Sequence, residues 1–318
     1  MTNATGSREI LVVAHARRDD TVAAARRVIA ALIDAGARPV LAVDDPELVA
    51  ALSDLGPLAA LGTDVQVSDI ELAIVLGGDG TILRAAELVR DGTAPILGIN
   101  MGHVGFLAEI DPDVIDDAMQ RIIACDYQVE ERMTLAVRVK DAAGAVIYET
   151  WALNEATVEK ASRERMMEVV IEIDRRPLSS FGCDGVVIAT PTGSTAYNFS
   201  AGGPVIWPTV EAIAVVPLSA HALFARPLVV GPEATVAIEV LARTDGNGIL
   251  WCDGRRSHDL PLGARVVVSR SPQPVRLARL HPAPFTDRLV RKFQLPVTGW
   301  RGPAESAAFE RRAPEDAA

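Results

Sequence analysis

A lone carboxylate stands among glycines in "GGDGT", residues 77–81, and the apolar run "ELAIVL" leads straight into it. Gly77, Gly78 and Gly80 let backbone N–H groups come close to a ligand. A helical pattern follows at once. A helix N-terminus offers unpaired N–H groups and partial positive charge, which suit phosphate. Thr81 adds a hydroxyl. The spacing is neither that of a Walker P-loop nor G-x-G-x-x-G, because position 79 is aspartate. A carboxylate repels phosphate, so Asp79 needs another purpose. It could take a proton from an attacking hydroxyl, or hold a Mg²⁺ ion that bridges phosphates. It could also cap the helix, a role worth ~1 kcal/mol. The stretch alone leaves these roles open.

A second stretch, "GCDGVVIATPTGSTAYNFSAGGP" (182–204), crowds glycines, hydroxyls, Asp184 and Tyr197 behind an apolar strand. Such a loop is costly to order and offers many small donors, as a polyhydroxylated or phosphorylated ligand requires. In "LNEATVEK" (153–160), Asn154 and Glu155 set a donor–acceptor side chain beside a carboxylate at a strand end. By spacing alone, a solvated strand end is the plainer account of that pair. His103, among glycines in "NMGHVGFLAEI" (100–110), could carry a proton, but a hydrogen-bonded loop histidine is the simpler reading. Lys140, Lys160 and Lys292 are the only lysines, and none lies in a glycine-rich loop. Positive charge beside a phosphate must then come from arginine or metal. Arg84 and Arg165 are candidates, with a surface arginine the ordinary explanation of each.

The elements that must position these residues follow from periodicity. "EILVVAHA" (9–16), "RPVLAVD" (38–44), "ELAIVLGG" (71–78) and "APILGIN" (94–100) read as buried strands. Helical patterns alternate with them: "DTVAAARRVIAALIDAG" (20–36), "DPELVAALSDLG" (45–56), "TILRAAELVRDG" (81–92) and "DPDVIDDAMQRIIACD" (111–126). This order predicts a Rossmann-like parallel α/β domain over 1–126. Over 127–279 the pattern becomes short alternating strands, such as "TLAVRVK", "AVIYETWAL", "MEVVIEID", "GVVIATP" and "ATVAIEVLA". They predict an antiparallel β-sandwich, with "RTDGNG" (243–248) as a hairpin turn. "TDRLVRKF" suggests a short helix, and residues 301–318, rich in Ala, Pro and charge, read as a disordered tail.

The net charge of −11 argues against a nonspecific grip on nucleic acid or on an anionic membrane. No stretch is apolar for the ~20 residues a membrane span needs. The start lacks the basic and apolar regions of a signal peptide. Three scattered cysteines give neither a disulfide framework nor zinc spacing, so a cytoplasmic protein is expected.

Taken together, "GGDGT", "NE" at 154–155 and "DGVVIATPTGSTAYNFSAGGP" at 184–204 resemble the NAD kinase family in order and spacing. "ILGINMGHVGFLAE" (96–109) is similar to the segment after that family's first motif. "GGDGT" also occurs in diacylglycerol and sphingosine kinases; "TPTGSTAY" is the specific part. The resemblance spans most of residues 8–295. It implies transfer of a phosphoryl group from ATP, another triphosphate or polyphosphate to the 2′-hydroxyl of the adenosine ribose of NAD, with a divalent metal, Mg²⁺ or Mn²⁺. It implies Asp79 as general base, with Gly77, Gly78, Gly80 and Thr81 at the phosphates. Asp79, Gly80, Arg84, Asn154, Glu155, Arg165, Asp184, Thr192, Thr195, Ala196, Tyr197, Asn198, Phe199 and Ser200 would hold NAD. It also implies a homodimer or homotetramer with NAD sites completed by a neighbour, and a chain end, 280–300, that returns to the first domain. Asn198 and Phe199 stand where the family often has Ser and Leu. "LWCDGR" (250–255) departs from the family's usual S-V-D-G, which puts its role in doubt. A lipid kinase of the diacylglycerol type and a non-catalytic NAD(P) sensor are the competing readings. The first is disfavoured by an acidic chain without a basic or amphipathic membrane-facing helix, the second by the intact motifs.

Overall fold

A computed structural model describes residues 7–43, 45–56, 58–102, 105–108, 114–162, 166–242, 248–280 and 284–297. The first part runs β1 (Glu9–Val13), α1 (Asp19–Asp34), β2 (Arg38–Leu41), α2 (Pro46–Leu52), β3 (Ala59–Ala60), β4 (Ile70–Leu76), α3 (Asp79–Leu88), β5 (Ile96–Ile99) and α4 (Ile115–Ile123). Then follow β6 (Gln128–Arg132), β7 (Leu135–Lys140), β8 (Val146–Ala152), β9 (Glu155–Lys160), β10 (Met167–Ile173), β11 (Arg176–Cys183) and β12 (Gly185–Ala189). The rest is α5 (Tyr197–Ser200), β13 (Ile213–Leu218), β14 (Leu228–Val230), β15 (Val236–Val240), β16 (Gly248–Cys252), β17 (Arg256–Leu260), β18 (Arg265–Arg270), β19 (Val275–Arg279) and α6 (Phe285–Phe293).

The first sheet has the order β3-β2-β1-β4-β5-β19-β6. Its pairs from β3 to β19 are parallel, and β6 closes it antiparallel to β19. Strand order reverses between β1 and β4, so the crevice beyond their carboxyl ends is where such sheets bind ligands. Residues of α1, α2 and α4 pack on one face with Ile10, Ile74 and Leu97, while Ile82, Ala85 and Ala86 of α3 pack on the other with Leu11, Val75 and Ile96. A Cβ at Gly98 would come within 2.6 Å of Ile82, so glycine there lets α3 lie close on β5.

Local chemistry explains the helix ends. Pro46 opens α2, and Asp45 accepts from the Leu48 amide at 3.0 Å as its cap. α1 ends at Asp34, and Gly36 adopts φ 75°, the left-handed residue that helices use to stop.

Two six-stranded antiparallel sheets, β11-β10-β15-β18-β7-β8 and β14-β13-β12-β9-β16-β17, enclose one core. Alternation decides which side chains enter it. In β9, Ala156 and Val158 point into the core, which leaves Glu155, Thr157 and Glu159 on the outer face.

The expected elements differ in three respects. α3 begins at Asp79, two residues before the pattern suggested. β6 and β19, which boundaries at 127 and 279 place in the second domain, pair within the first sheet. The return to the first domain therefore starts at Val275 as a strand, ahead of α6. The "RTDGNG" turn at 243–247 and the tail at 301–318 lie outside the described residues.

Candidate active site

The site is built on three elements that the sheets bring to one place. At the end of β4, the Gly77 amide donates to the Ile99 carbonyl at 2.9 Å, which holds the loop against the end of β5. A Cβ at Gly77 would lie 2.3 Å from the Thr81 hydroxyl, so only glycine lets the helix begin this tightly. Gly78 is the N-cap and contributes no side-chain bond; Asp79 is already inside the helix. Asp79 is therefore not the cap. The amides of Thr81 and Ile82 donate to the Gly78 carbonyl, at 3.0 and 3.2 Å. Those of Asp79 and Gly80 are orphans of the helix start, with no acceptor among the described residues. No glycine of this loop has a positive φ. Added Cβ atoms at Gly78 and Gly80 would meet nothing within 4 Å, so the fold does not require glycine at either position. Their surroundings are open to a ligand.

The Asp79 carboxylate turns to the segment after β5. Its Oδ2 accepts from the Phe106 amide and its Oδ1 from the Leu107 amide, both at 3.0 Å. A Cβ on Gly105 would sit 2.3 Å from Asp79 Oδ1, so glycine at 105 makes room for the carboxylate. Behind these peptides, Arg288 donates to the Phe106 carbonyl at 3.0 Å and Arg279 to the Leu107 carbonyl at 2.8 Å. The carboxylate is thus fixed by two amides whose own carbonyls are held by arginines. Both oxygens keep a lone-pair direction for a further partner.

The head of β9 is the second element. The Leu153 and Asn154 amides donate to the Asp253 carboxylate at 3.0 and 2.7 Å. The Asn154 carbonyl accepts from the Thr190 amide at 2.9 Å, and the Thr190 hydroxyl donates to the Leu153 carbonyl at 2.6 Å. A Cβ on Gly193 would lie 2.0 Å from the Asn154 carbonyl oxygen, so the third element, the loop after β12, packs directly on this strand head. Ser194 staples that loop. It donates to the Pro191 carbonyl at 2.7 Å and accepts from the Ile206 amide at 2.9 Å.

Two cavities join these elements. Phe106 and Leu107, which hold Asp79, line a small cleft together with Thr192 and Thr195. On the outer face of β9, Glu155, Thr157 and Glu159 line a cavity of about 340 Å³ with Trp251, Gly254 and, from the loop, Tyr197. Burial pushes the Glu155 carboxyl up to about 8, helped by the Asp253 charge and opposed by a bond from the Tyr197 amide. At neutral pH that group is mostly a neutral acid with a proton to donate. Glu155 Oε2 and Thr157 Oγ1 are both buried without a partner among the described residues, which suits a polar ligand. Burial and the neighbouring Glu159 raise the Tyr197 phenol, which hydrogen-bonds Glu159. A separate cavity of about 610 Å³ is lined by Arg132, Trp207 and Phe285.

Several expected ligand residues have partners within the protein. Arg84 pairs with Asp45 at 3.3 Å and ties α3 to the start of α2. Asn198 is fully buried, and its amide donates to the Ser194 and Pro204 carbonyls at 3.1 and 3.0 Å, so its side chain shapes the loop. Phe199 stacks on Phe293 of α6 at 4.5 Å between centroids. Asp184 sits at the other end of β12, paired with Lys160 at 2.5 Å, which holds its carboxyl below the usual range. Ala196 lies beside Thr195 and Tyr197, and Ser200 is exposed. Arg165 and His103 lie outside the described residues.

The sequence reading did not name Thr157, Glu159 or the Phe106 and Leu107 amides, and it left the role of the segment that holds Trp251 and Asp253 in doubt. Asp-Gly straight after an apolar run is a hairpin signal, and it could have marked Asp253. Backbone donors carry no such signal. Among the described residues, no group of three His, Cys, Asp or Glu could hold a metal ion, and no helix is long and apolar enough to cross a membrane.

The sequence profile described as ATP-NAD kinase N-terminal domain matches residues 59–127, and the ATP-NAD kinase C-terminal domain matches 153–280. A protein named NAD kinase from Leifsonia xyli is 65% identical over 93% of this chain and 97% of its own length. One of the same name from Thermobifida fusca is 54% identical over 94% and 93%. Among solved structures, yeast NADH kinase complexed with NADH superposes with a TM-score of 0.82 at 21% identity, covering 94% of this chain and 91% of that one. An NAD kinase from Archaeoglobus fulgidus in complex with ATP gives 0.68 at 24% identity, over 90% and 98%.

Proposed function

The chain belongs to the NAD kinase family and is an NAD kinase, and from the geometry we propose which of its residues carry the reaction. The adenosine ribose of NAD enters where the loop 192–197, the head of β9 and the Asp79 carboxylate meet. Asp79 takes the proton of the 2′-hydroxyl as that oxygen attacks the terminal phosphorus of ATP. The observation that carries this is the pair of amides, Phe106 and Leu107, that fix the Asp79 carboxylate beside a cleft shared with Thr192 and Thr195. A carboxylate so held has one plane and one direction in which to receive a proton, and orientation is a large part of phosphoryl transfer.

The orphan amides of Asp79 and Gly80 and the Thr81 hydroxyl face the phosphates of the donor. Glu155, neutral at working pH, and Thr157 give NAD a donor and a hydroxyl in the cavity under Tyr197. Asn154 fixes the nucleoside above it. These roles are supported by burial and by the unpartnered oxygens in that cavity.

A divalent metal, Mg²⁺ or Mn²⁺, accompanies the reaction. The residues fit one that arrives with the donor: among the described residues Asp79 offers a carboxylate at the phosphate end, and Mg²⁺ typically takes one or two protein carboxylates plus phosphate oxygens. Bound there, the ion would supply charge neutralisation on the transferring group. The protein works in the cytoplasm as a homodimer or homotetramer, in keeping with its family resemblance.

The test is product analysis. Purified protein incubated with NAD, ATP and Mg²⁺ yields NADP phosphorylated at the 2′ position, and chelation of the metal stops turnover. A panel with other triphosphates and polyphosphate identifies the preferred donor. A product phosphorylated elsewhere on NAD would sink the proposed placement of the ribose.

A further inference from the structure

The turn between β16 and β17 does more than reverse the chain. Asp253 and Gly254 have φ of 55° and 63°, and the Arg255 amide donates to the Cys252 carbonyl at 3.1 Å, which closes a tight hairpin turn. Asp253 is 6% exposed, yet it is a carboxylate. Its oxygens accept the Leu153 and Asn154 amides, and its own amide donates to the Glu155 carbonyl at 3.0 Å. All of these bonds go to the main chain that leads into Glu155. Arg256 Nη2 then bonds Asp253 Oδ2 at 2.6 Å. The same guanidinium donates to the Trp151 carbonyl at 2.7 Å and lies 4.5 Å from that residue's ring.

From here the chain of bonds crosses to the other domain. Arg256 Nε donates to Glu87 Oε1 at 3.0 Å and Arg255 Nε to Glu87 Oε2 at 3.1 Å. Glu87 lies two turns along α3 from Asp79, which begins that helix. Arg90, just past the end of α3, covers the same Trp151 ring at 4.2 Å and donates to the Gln273 carbonyl and the Ser271 hydroxyl. Helix α3 is a rigid body, so whatever fixes Glu87 also fixes Asp79.

We propose that residues 253–256 are a positioning element for the reaction, which sets the Asp79 helix and the Asn154–Glu155 strand head at one fixed separation through Asp253, Arg256 and Glu87. The proposal rests on the assignment of Asp79 and Asn154–Glu155 to the site. The ordinary alternative is a salt bridge that only glues two domains. Two observations favour positioning. A buried charged group is a poor way to gain stability, since an apolar side chain in its place often stabilises more. And every bond of Asp253 to the strand head is to backbone, which determines where the strand lies whatever its side chains are.

The obvious variant, Asp253→Asn, orphans an amide in the core and risks misfolding. Glu87→Gln, on a partly exposed side chain, avoids that. Glu87→Gln lowers kcat about 10-fold, because a misplacement of 1 Å can cost 10²-fold. Its KM for NAD stays within about twofold, since the strand head is intact. Glu87→Asp recovers part of kcat. Asp253→Asn raises KM for NAD, and combined with Glu87→Gln it loses less in kcat/KM than the product of the two single losses. The control is Glu172→Gln, which breaks the ion pair with Arg265 in the outer sheet. It lowers Tm and leaves kcat and KM alone. If Glu87→Gln behaves like Glu172→Gln, with Tm lowered and both constants unchanged, the turn is only glue and the proposal is wrong. Failure of the site assignment itself shows separately, as an Asp79→Asn enzyme that keeps its rate while Glu87→Gln still loses kcat.

Discussion

Asp79 and Glu155 are both carboxylates at the start of a secondary-structure element, yet the molecule treats them in opposite ways. Asp79 opens α3, partly buried, with each oxygen met by one backbone amide. Glu155 opens β9, buried, with Oε2 facing no partner and its carboxyl pushed up to about 8. The first is oriented where, on the proposed assignment, a hydroxyl loses its proton. The second is kept mostly neutral by burial, where the proposed assignment places a ligand. A carboxylate's role therefore follows from what surrounds it. Backbone amides supply orientation at one end of the site, and burial supplies a proton at the other.

The largest expected effect breaks the Asp79 side of that comparison. Asp79→Asn folds normally and loses about 10²–10⁴-fold in NADP formation, the usual worth of a general base, measured by a coupled assay at saturating NAD. A wild-type rate would remove Asp79 from the chemistry.

Gly105→Ala tests whether orientation matters apart from charge. Its Cβ would fall 2.3 Å from Asp79 Oδ1. The carboxylate must move, and kcat drops by about 10–100-fold with Asp79 still present. Unchanged kcat would mean that the amide pair is dispensable.

The Glu155 side is read by pH. Its folded-state pKa lies above the ordinary 4.5, so the native protein binds a proton that the unfolded chain has released. Stability is then fully kept below about pH 4.5, falls as pH rises toward about 8, and levels off above it. Glu155→Gln removes that slope. In thermal melts the variant gains on wild type between about pH 5 and pH 9 by on the order of 10 °C, since a rise from 4.5 to about 8 corresponds to about 5 kcal/mol at roughly 2–4 °C per kcal/mol. Parallel Tm curves would show that Glu155 is not buried as described.

The smallest effect is expected at Arg84. Its partner is Asp45, and part-exposed pairs are worth about 0–1 kcal/mol. Arg84→Gln keeps kcat and KM within about twofold and costs little stability. A large rise in KM for NAD would restore Arg84 to the binding site.

Much of this was legible in the sequence where the physics is local. Strand and helix alternation follows from residues that repeat every two or every 3.6 positions, and a glycine-rich loop before a helix announces a phosphate site whatever the rest of the chain does. "GGDGT" and "TPTGSTAY" were therefore visible as two candidate ligand loops. The partners of Arg84 and Asn198, Asp45 and the Ser194 and Pro204 carbonyls, were not legible, because they are set by packing that no motif records.

What the sequence determined by itself is the list of chemical groups and the elements that bear them. It placed Asp79 at a helix start and Asn154–Glu155 at a strand head, because those facts depend on neighbours a few residues away. Only the tertiary structure decided that Asp79 would meet amides 27 and 28 residues on. It alone decided that Glu155 would lose its charge, and that Asp253, about 100 residues from Asn154, would hold that strand in place. The reason is that burial and backbone hydrogen bonds between distant segments are properties of the packed sheets. Sequence spacing says nothing about them until the chain has closed on itself.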